Sequence, residues 1–355
     1  MIDTLAPFSC TYSPNFPELI NQLNCTLVIS TYQAGKVIFI SAKNDNELIQ
    51  LPRTFDKAMG IAVDNNKLGV ATKDEVIILV NSTDLASSYP KQPNVYDGLF
   101  IPRASYYTGQ IDIHDLDWGK EGLWAVNTAF SCLTLIDENF SFTPKWKSKF
   151  ISKIASGDHC HLNGLALSDG VPKYVSAFGT GDKPQSWREE ITSGGVIIDV
   201  SSDEIICQSL PMPHSPRIYN GSLYVLLSAT GEIVKVNIDN GTFDVIKKLD
   251  GFVRGMDKYG DYLFIGLSKL RQNSSTFKDL PIAKLANQAG IIVIHLPTGA
   301  IIGQILYKNS VDEIYDVQVL PNLKRPGILN TKNGFHKLGL TTPQSTYWAK
   351  EIIEH

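Results

Sequence analysis

The sequence predicts an all-β chain folded as a six-bladed β-propeller, and three observations lead to this prediction. A turn-and-strand unit returns about every 40–60 residues, a period typical of solenoids, propellers and repeat arrays. Short β-branched segments bounded by turn residues are frequent, whereas helical periodicity is scarce. Six copies of the unit fit a closed ring of four-stranded blades around a channel.

Each unit has an opening turn that leads into a strand, followed by a second strand. The six openers begin near Met59, Ile113, His161, His214, Arg254 and Ile314. The last opener has little strand signal after it, while three N-terminal strands, near residues 26–30, 36–41 and 47–51, have no opener before them. We therefore expect the C-terminal strand to pair with the N-terminal blade, which closes the ring and removes free sheet edges.

The predicted organisation is one propeller with a short segment at each end. Residues 1–23 form an N-terminal extension, 24–325 form the propeller, and 326–355 form a C-terminal tail that packs on it. Short helices are predicted near 17–23 and 345–353. A β-sandwich pair would explain the density of strands but not the recurring unit.

Composition and charge exclude several classes of function. The formal net charge of −4 argues against binding of nucleic acid. The chain has no run of 18 or more apolar residues, so no membrane span is predicted. No basic region precedes an apolar run at the N-terminus, so no signal peptide is predicted. Five scattered cysteines without a Cys-x-x-Cys pair argue against a disulfide framework or a zinc finger. We therefore expect a cytoplasmic protein with reduced thiols, whose oligomeric state the sequence does not set.

The openers also predict where function lies. The innermost strand of each propeller blade lines the central channel, so residues at the strand starts converge at one end of the axis. Three openers supply His114, His161 and His214, and the next supplies Arg254. The last opener supplies Asp316, with Glu313 just before it, so the sequence predicts imidazoles facing an arginine and a carboxylate.

Three interpretations of this constellation remain open at the level of sequence. His114, His161 and His214, with Asp316 or Glu313, could hold zinc, iron or manganese. The same groups could instead perform metal-free acid–base catalysis while Arg254 binds a substrate carboxylate or phosphate. In the third interpretation the histidines only hydrogen-bond backbone groups in a polar channel.

Four further residues are candidate ligand-binding residues. Arg217 is expected to hold an anion together with Arg254. Arg103 lies at the end of a long segment, near 87–108, and could face a ligand. Asn163 offers an amide group, with turn capping as its structural alternative. Trp187 lies in a second long segment, near 180–193, where it is either a lid tip or a packing anchor. A third long segment covers residues 270–289.

Several strings of the chain resemble a bacterial family of domain-of-unknown-function proteins over about residues 30–326. They are Ser30-Thr-Tyr-Gln-Ala-Gly-Lys, Ile113-His-Asp-Leu, Cys160-His-Leu-Asn-Gly-Leu-Ala, Pro211-Met-Pro-His-Ser-Pro-Arg, Gly251-Phe-Val-Arg-Gly, Phe264-Ile-Gly-Leu-Ser and Ile314-Tyr-Asp-Val-Gln-Val-Leu-Pro. This resemblance implies a grouping and no activity. A looser similarity is to six-bladed propellers of the strictosidine-synthase and gluconolactonase type, which bind calcium through carboxylates and amides. This chain has histidines at those positions, and calcium prefers oxygen ligands, so lactonase activity is not implied.

The sequence therefore predicts an enzyme that acts at the axial pocket on a small polar or anionic metabolite or a peptide side chain. The expected chemistry is metal-assisted hydrolysis, or a lyase or isomerase reaction, with Asp316 or Glu313 completing the site or acting as base. The alternative is a non-catalytic scaffold whose propeller face and long loops bind a protein partner or ligand. Neither hypothesis involves nucleic acid or a membrane.

Overall fold

A computed structural model describes residues 5–270 and 276–350, and it confirms the six-bladed propeller. Each blade is a four-stranded antiparallel meander, and the six innermost strands contact one another around the axis. From the axis outward, blade 1 comprises Asp316–Pro321, Cys25–Thr31, Lys36–Ala42 and Leu48–Thr54; blade 2 Ile61–Asp64, Lys67–Ala71, Glu75–Asn81 and Leu99–Tyr107; blade 3 Ile113–Gly119, Gly122–Asn127, Cys132–Ile136 and Thr143–Trp146; blade 4 Leu162–Ser168, Val171–Ala177, Gly195–Asp199 and Glu204–Leu210; blade 5 Pro213–Tyr219, Ser222–Leu227, Glu232–Val236 and Phe243–Lys248; and blade 6 Phe252–Tyr259, Tyr262–Ser268, Ala289–His295 and Ala300–Tyr307.

Blade 1 contains strands from both ends of the chain. Its innermost strand, Asp316–Pro321, pairs antiparallel with Cys25–Thr31. Most residues of both strands are apolar or β-branched, and their side chains contribute to the cores on either side of the blade.

Hydroxyl groups tie neighbouring blades together where the inner strands begin. Thr128 Oγ1 donates to the carbonyl of Leu162 at 2.6 Å, which joins blades 3 and 4. Ser228 Oγ and Ser268 Oγ donate in the same way to the next blade, to the carbonyls of Val253 and Ile314, at 2.5 and 3.0 Å. These bonds satisfy backbone groups that the sheets leave unpaired, so the start of each of these inner strands is held in place.

Each blade has one residue near the start of its inner strand that is either a glycine or a hydrogen-bond acceptor, and the two kinds alternate around the axis. Blades 2, 4 and 6 carry Gly60, Gly164 and Gly255, whereas blades 3, 5 and 1 carry Asp115, Ser215 and Asp316. Each acceptor takes a hydrogen bond from a backbone N–H of the following blade, namely that of Leu165 at 2.9 Å, Gly255 at 3.1 Å and Ile61 at 2.9 Å, respectively. The glycines permit this close approach, since a Cβ at Gly164 would lie 2.3 Å from Pro216 Cδ.

The chain segments outside the blades cover the rim. Cys10–Tyr12 adds a fifth strand to blade 6, and the helix Phe16–Gln22, predicted near 17–23, packs between blades 1 and 6. Gly327–Ile328 pairs in parallel with the outer strand of blade 2. The helix predicted near 345–353 is wrong over the described residues, because Thr346–Trp348 is a strand paired with Gly339–Thr341. The other helices in the described part of the chain are Thr83–Ser87 and the 3-10 helices Ser186–Glu190 and Phe335–Leu338.

Across residues 5–270 and 276–350, no helix combines the length and the apolar character needed to cross a membrane.

Candidate functional site

The openers form two tiers of residues at one end of the axis, which we call the entrance. The inner tier takes one residue from each blade, and the outer tier takes the residue two positions earlier. The inner tier consists of Met59, His114, Asn163, His214, Arg254 and Tyr315, and the outer tier of Lys57, Asp112, His161, Met212, Phe252 and Glu313. This corrects the predicted register, in which His161 was equivalent to His114 and His214; Asn163 occupies that position.

His161 is fixed by a carboxylate. Its Nδ1 lies 2.8 Å from Asp158 Oδ2, and since a carboxylate only accepts, Nδ1 carries the proton. Trp187 Nε1 donates to the same oxygen at 3.0 Å. No described residue hydrogen-bonds the other ring nitrogen, Nε2, which is therefore a lone-pair acceptor open to a ligand. Asp158 Oδ1 is buried and has no hydrogen-bond partner among the described residues.

Aromatic contacts hold the His161 ring in one orientation. The rings of Phe178 and Trp187 contact it with centroid distances of 4.4 and 4.3 Å, and His114 meets it edge-on at 4.8 Å. The backbone of His161 has a φ of +50°, and that of Asp158 has a φ of +53°. Non-glycine residues adopt this left-handed conformation at an energetic cost, which the surrounding contacts offset.

His114 is held as a neutral imidazole. Asn163 Nδ2 donates to its Nδ1 at 3.0 Å, and Arg254 Nη2 lies 3.4 Å from the same atom. Nε2–H therefore donates to Asp112 Oδ2, at 3.2 Å. Burial lowers the pKa of His114 despite the Asp112 charge. Although burial opposes it, the interactions with His114, which include its hydrogen bond, and the nearby His161 and Arg254 side chains hold the pKa of Asp112 well below its usual range.

His214 is neutral for a similar reason. Its Nδ1 lies 3.1 Å from the carbonyl of Met212 and 2.6 Å from Ser228 Oγ, while Ser228 donates its own proton to the carbonyl of Val253. Nδ1 of His214 is thus the donor. Burial lowers the pKa of His214 well below the ordinary histidine value, and the nearby Arg254 charge adds to the effect.

Arg254 is the main cation of the inner tier. Its guanidinium stacks over the Tyr315 ring at 3.3 Å, and its Nη1 lies 3.7 Å from Glu313 Oε1. The side chain is 12% exposed, so it is largely removed from water. Burial raises the pKa of Tyr315 well above its ordinary value, and its hydroxyl has no hydrogen-bond partner among the described residues.

Two long loops pack together beside His161. Trp187, predicted as a lid tip or an anchor, is 3% exposed and belongs to an apolar cluster with Phe178, Met212 and Phe252. Leu280, Ile282 and Ala286 of the blade 6 loop join this cluster. Arg188 Nη1 donates to Thr276 Oγ1 at 2.7 Å across the two loops. Residues 271–275 of the long segment predicted at 270–289 lie outside the described residues.

Three predicted site residues lie elsewhere. Asp316 is 4% exposed and accepts from the backbone N–H of Ile61 and Val317, so it joins blades 1 and 2 instead of facing a ligand. Burial raises the pKa of Asp316 to about 7. The neighbouring residue Tyr315 is the one that reaches the entrance, because successive side chains of a strand point to opposite faces.

Arg217 and Arg103 also do not face the entrance. Arg217 lies three residues beyond His214, about 10 Å further along the inner strand. It forms a two-point ion pair with Asp115, with Nη1–Oδ2 and Nη2–Oδ1 distances of 2.7 and 3.0 Å. Arg103 lies on the outer strand of blade 2 and donates to Gly339 O and Thr341 Oγ1 of the C-terminal tail, each at 3.1 Å. Both guanidinium groups are therefore bound by other parts of the fold, away from the entrance.

The described residues contain no group of three or more His, Cys, Asp or Glu side chains arranged to hold a metal ion. Both ring nitrogens of His114 already have hydrogen-bond partners, and the Phe178 ring contacts both His161 and His214. The zinc, iron or manganese site remains a prediction from sequence without support from this geometry.

A cavity of about 430 Å³ lies at the opposite end of the axis. All six blades line it, and its polar residues include Asp117, Arg217, Tyr219 and Asp257. Burial raises the pKa of Asp117 to about 6 and also raises that of Asp257. The Arg217–Asp115 ion pair lies between this cavity and the entrance, so the axis has two chemically different ends.

Sequence reasoning missed Asp158, Asp112 and Phe178 at the entrance. Phe178 follows the second strand of blade 4 at the position where blades 3, 5 and 6 have the hydroxyls Thr128, Ser228 and Ser268. This break in the repeat was a usable signal, because a bulky ring replaces a group that joins blades elsewhere. Asp158 lies three residues before His161, and this short Asp-x-x-His spacing was the available signal for the pair.

Comparisons with known proteins agree with the fold and assign no chemistry. A model of a domain of unknown function, DUF4915, matches residues 14–329. No curated protein matches the chain. A chain from the crystal structure of a nidogen–laminin complex is similar at 10% identity with a TM-score of 0.52, covering 84% of this chain and 99% of that one. A protein of unknown function from Bacteroides caccae is similar at 10% identity and a TM-score of 0.52, covering 83% and 98%.

Proposed function

This chain belongs to the DUF4915 family, and from that premise we propose that its axial entrance is the active site of an enzyme that performs acid–base chemistry on a small anionic substrate. The family supplies no reaction, so the proposal depends on the entrance alone. The observation that carries it is the His161–Asp158 pair, with one ring nitrogen anchored and the other open.

His161 is the proposed general base. A carboxylate that accepts from Nδ1–H fixes the tautomer and stabilises the imidazolium that forms when Nε2 takes a proton. Phe178 and Trp187 prevent the ring from turning away from that orientation. Such a base can remove a proton from carbon or from water, which covers the isomerase, lyase and hydrolase reactions expected from the sequence.

Arg254 is the proposed anion-binding group. Its one ion pair among the described residues is with Glu313, at 3.7 Å, and Nη2 lies 3.4 Å from His114 Nδ1, so most of its five N–H donors remain available. The imidazoles of His114 and His214 are neutral, so they do not compete for the anion as charges. A guanidinium binds carboxylate or phosphate at two points, which would place the substrate beside His161.

A two-step experiment tests the proposal. A panel of small carboxylates and phosphate esters is first tested for thermal stabilisation of the protein, which rises as a ligand binds the folded state. Hits are then incubated in D₂O and followed by proton NMR for turnover or exchange of carbon-bound protons. We expect Arg254→Gln to abolish the stabilisation, and His161→Gln to retain binding while it lowers turnover by about 10²-fold or more.

Arg103→Gln is the matched control, because it makes the same chemical change at an arginine that holds the tail. It should lower the melting temperature without altering the ligand-induced shift. Ligands that bind Arg254→Gln as well as they bind the native protein would refute the assignment of the anion site. Turnover that survives His161→Gln would refute the assignment of the base.

Two further parts of the proposal come from the sequence and not from the entrance: the metal-assisted form of the reaction and the cytoplasmic location. Metal analysis of the purified protein tests the first. The second is consistent with five free cysteines, four of them buried, as expected in a reducing compartment. The scaffold alternative would be favoured if the protein carried no turnover and the triple alanine variant of His114, His161 and His214 still bound a partner.

A further inference from the structure

A groove separate from the axial channel lies between the outer parts of blades 2 and 3. It is formed by residues 104–107 of the blade 2 outer strand and residues 137–141 of the turn between the outer strands of blade 3, and it encloses about 680 Å³. We call it the aromatic groove. It contains the two most exposed aromatic side chains among the described residues, Tyr107 at 80% and Phe140 at 70%.

Strand alternation explains how these rings come to be exposed. Tyr106 and Phe142 both pack against the apolar core between blades 2 and 3. Tyr107 follows Tyr106 directly and therefore faces the other way, while Phe140 lies at the tip of the turn before Phe142. The groove thus has two half-buried aromatic side chains behind it and two exposed rings in front.

Both exposed rings are carried by rigid backbone. Asp137 accepts from the backbone N–H of Asn139 and Phe140, at 2.8 and 3.2 Å, and from Thr143 Oγ1 at 2.7 Å. Tyr107 is the last paired residue of its strand, opposite Glu75. An aromatic ring on a fixed backbone has only two side-chain torsions to restrict on binding, so its conformational entropy cost is low.

The groove carries negative charge. Asp137 and Glu138 line it, and none of the nine residues that line it is a lysine or an arginine. The hydrogen bonds from Thr143 and Asn139 lower the pKa of Asp137, so it is ionised at neutral pH. Exposed aromatic faces beside carboxylates are the complement of arginine and lysine side chains, which pair with the carboxylate and stack on the ring.

We propose that the aromatic groove docks a basic segment of a partner protein, with arginine side chains lying on Tyr107 and Phe140. A second copy of this chain fits the groove less well. A symmetric contact between two grooves would bring Asp137 and Glu138 of each copy together, and like charges in an interface oppose association. This docking surface is independent of the proposed reaction at the entrance.

The test measures binding of a fluorescent peptide of alternating arginine and serine by anisotropy, with an alternating glutamate and serine peptide for comparison. We expect the basic peptide to bind the native protein and the acidic peptide not to bind. Tyr107→Ser combined with Phe140→Ser should weaken binding by at least about tenfold, as for loss of hot-spot rings. Glu138→Lys should weaken it as well, without disturbing the turn that Asp137 holds.

The matched control is Ile205→Ser combined with Val245→Ser, which removes two exposed apolar side chains from blades 4 and 5. It should bind the basic peptide as the native protein does. Equal loss in this control, or no loss in the Tyr107 and Phe140 variant, would overturn the proposal. Concentration-dependent dimerisation in ultracentrifugation that the Tyr107 and Phe140 variant abolishes would overturn it in favour of a second copy.

Discussion

Asp158 determines what the His161 ring can do, because its carboxylate accepts the hydrogen bond from Nδ1–H and so leaves Nε2 as the acceptor. Arg254 and Asn163 act in the opposite sense on His114, since both donate toward its Nδ1. The two neighbouring imidazoles therefore differ in tautomer and in role, although both are histidines at the start of an inner strand. At the scale of single residues, hydrogen-bond partners distinguish the candidate base from its neighbour.

Replacement of Asp158 by asparagine tests this assignment. An amide in that position offers one neutral oxygen to two donors, His161 Nδ1 and Trp187 Nε1. We expect a lower fraction of the Nδ1–H tautomer of His161 and a loss of stability of about 1–3 kcal/mol. Nitrogen-15 NMR of labelled histidine measures the tautomer, and denaturant unfolding measures the stability.

Asp182→Asn is the matched control for this prediction. Asp182 lies 3.2 Å from Nδ1 of His159, a second histidine–aspartate pair that is not one of the entrance tiers. Its loss should change the His159 signals and leave those of His161 as they are. An unchanged His161 tautomer in Asp158→Asn would show that the carboxylate does not set it.

At the scale of elements, the sequence predicted the strands well and the register of the openers less well. Strand signals such as 26–30 and 36–41 correspond to Cys25–Thr31 and Lys36–Ala42, because β-branched residues between turn signals are a local property. Aligning the openers on histidine places His161 two residues from its equivalent position in the repeat. The glycines Gly60, Gly164 and Gly255 align them correctly, since each lies where neighbouring inner strands touch.

The side chains that meet at the entrance were harder to predict for a physical reason. The repeat predicts which strand ends converge, so His114, His161, His214 and Arg254 could be found from their spacing. Which of two successive residues faces the channel depends on the pleat and on local bulges, and this is where Asp316 was misplaced. Asp158 lies only three residues before His161, but the pair forms through left-handed backbone at both residues, which the strand and turn patterns do not indicate.

Gly164→Ala tests the packing of the inner strands. The added Cβ would lie 2.3 Å from Pro216 Cδ and 3.1 Å from Ser176 Oγ, so blades 4 and 5 must separate. We expect a loss of about 2–3 kcal/mol in the free energy of unfolding, the upper part of the range typical of overpacked cores. Gly69→Ala is the control, since a Cβ at this buried strand position would make only ordinary contacts of 3.6 Å or more.

At the scale of the whole molecule, each end of the chain depends on the other. The innermost strand of blade 1 comes from residues 316–321, and Asp316 also bonds to blade 2. A chain that stops at residue 313 lacks this strand, exposes the edge of Cys25–Thr31 and loses the Asp316 bond. We expect it not to fold, as judged by circular dichroism and hydrogen exchange.

A chain that stops at residue 331 is the control, because it keeps the closing strand and loses only the outer part of the tail. The tail residues Phe335 and Trp348 pack on Tyr89 at the rim of blade 2. Their loss should lower the melting temperature while the propeller still forms. If both shortened chains folded equally well, pairing between the two ends would not be what holds the ring closed.

The stability contributed by a buried group at each end of the axis should change with pH in opposite directions, for His214 at the entrance and for Asp117 at the opposite cavity. The pKa of His214 is below the ordinary value of about 6.5, so the unfolded chain takes up this proton first. The stability that neutral His214 provides is complete above about pH 6.5 and is lost as the pH falls. The pKa of Asp117 is raised from 3.8 to about 6, so the folded protein takes up this proton first, and its contribution is lost as the pH rises from about 4 to 6.

Unfolding free energies measured between pH 4 and 7 in native protein, His214→Gln and Asp117→Asn separate these effects. As the pH falls below about 6.5, the His214→Gln variant should gain stability relative to the native protein, because glutamine cannot be protonated in the unfolded chain. As the pH rises from about 4 toward 6, the Asp117→Asn variant should gain about 2 kcal/mol of stability relative to the native protein, because an amide carries no charge to bury. Parallel curves for the two variants would contradict the assignment, since the opposite signs follow directly from an imidazole buried at one end and a carboxyl buried at the other.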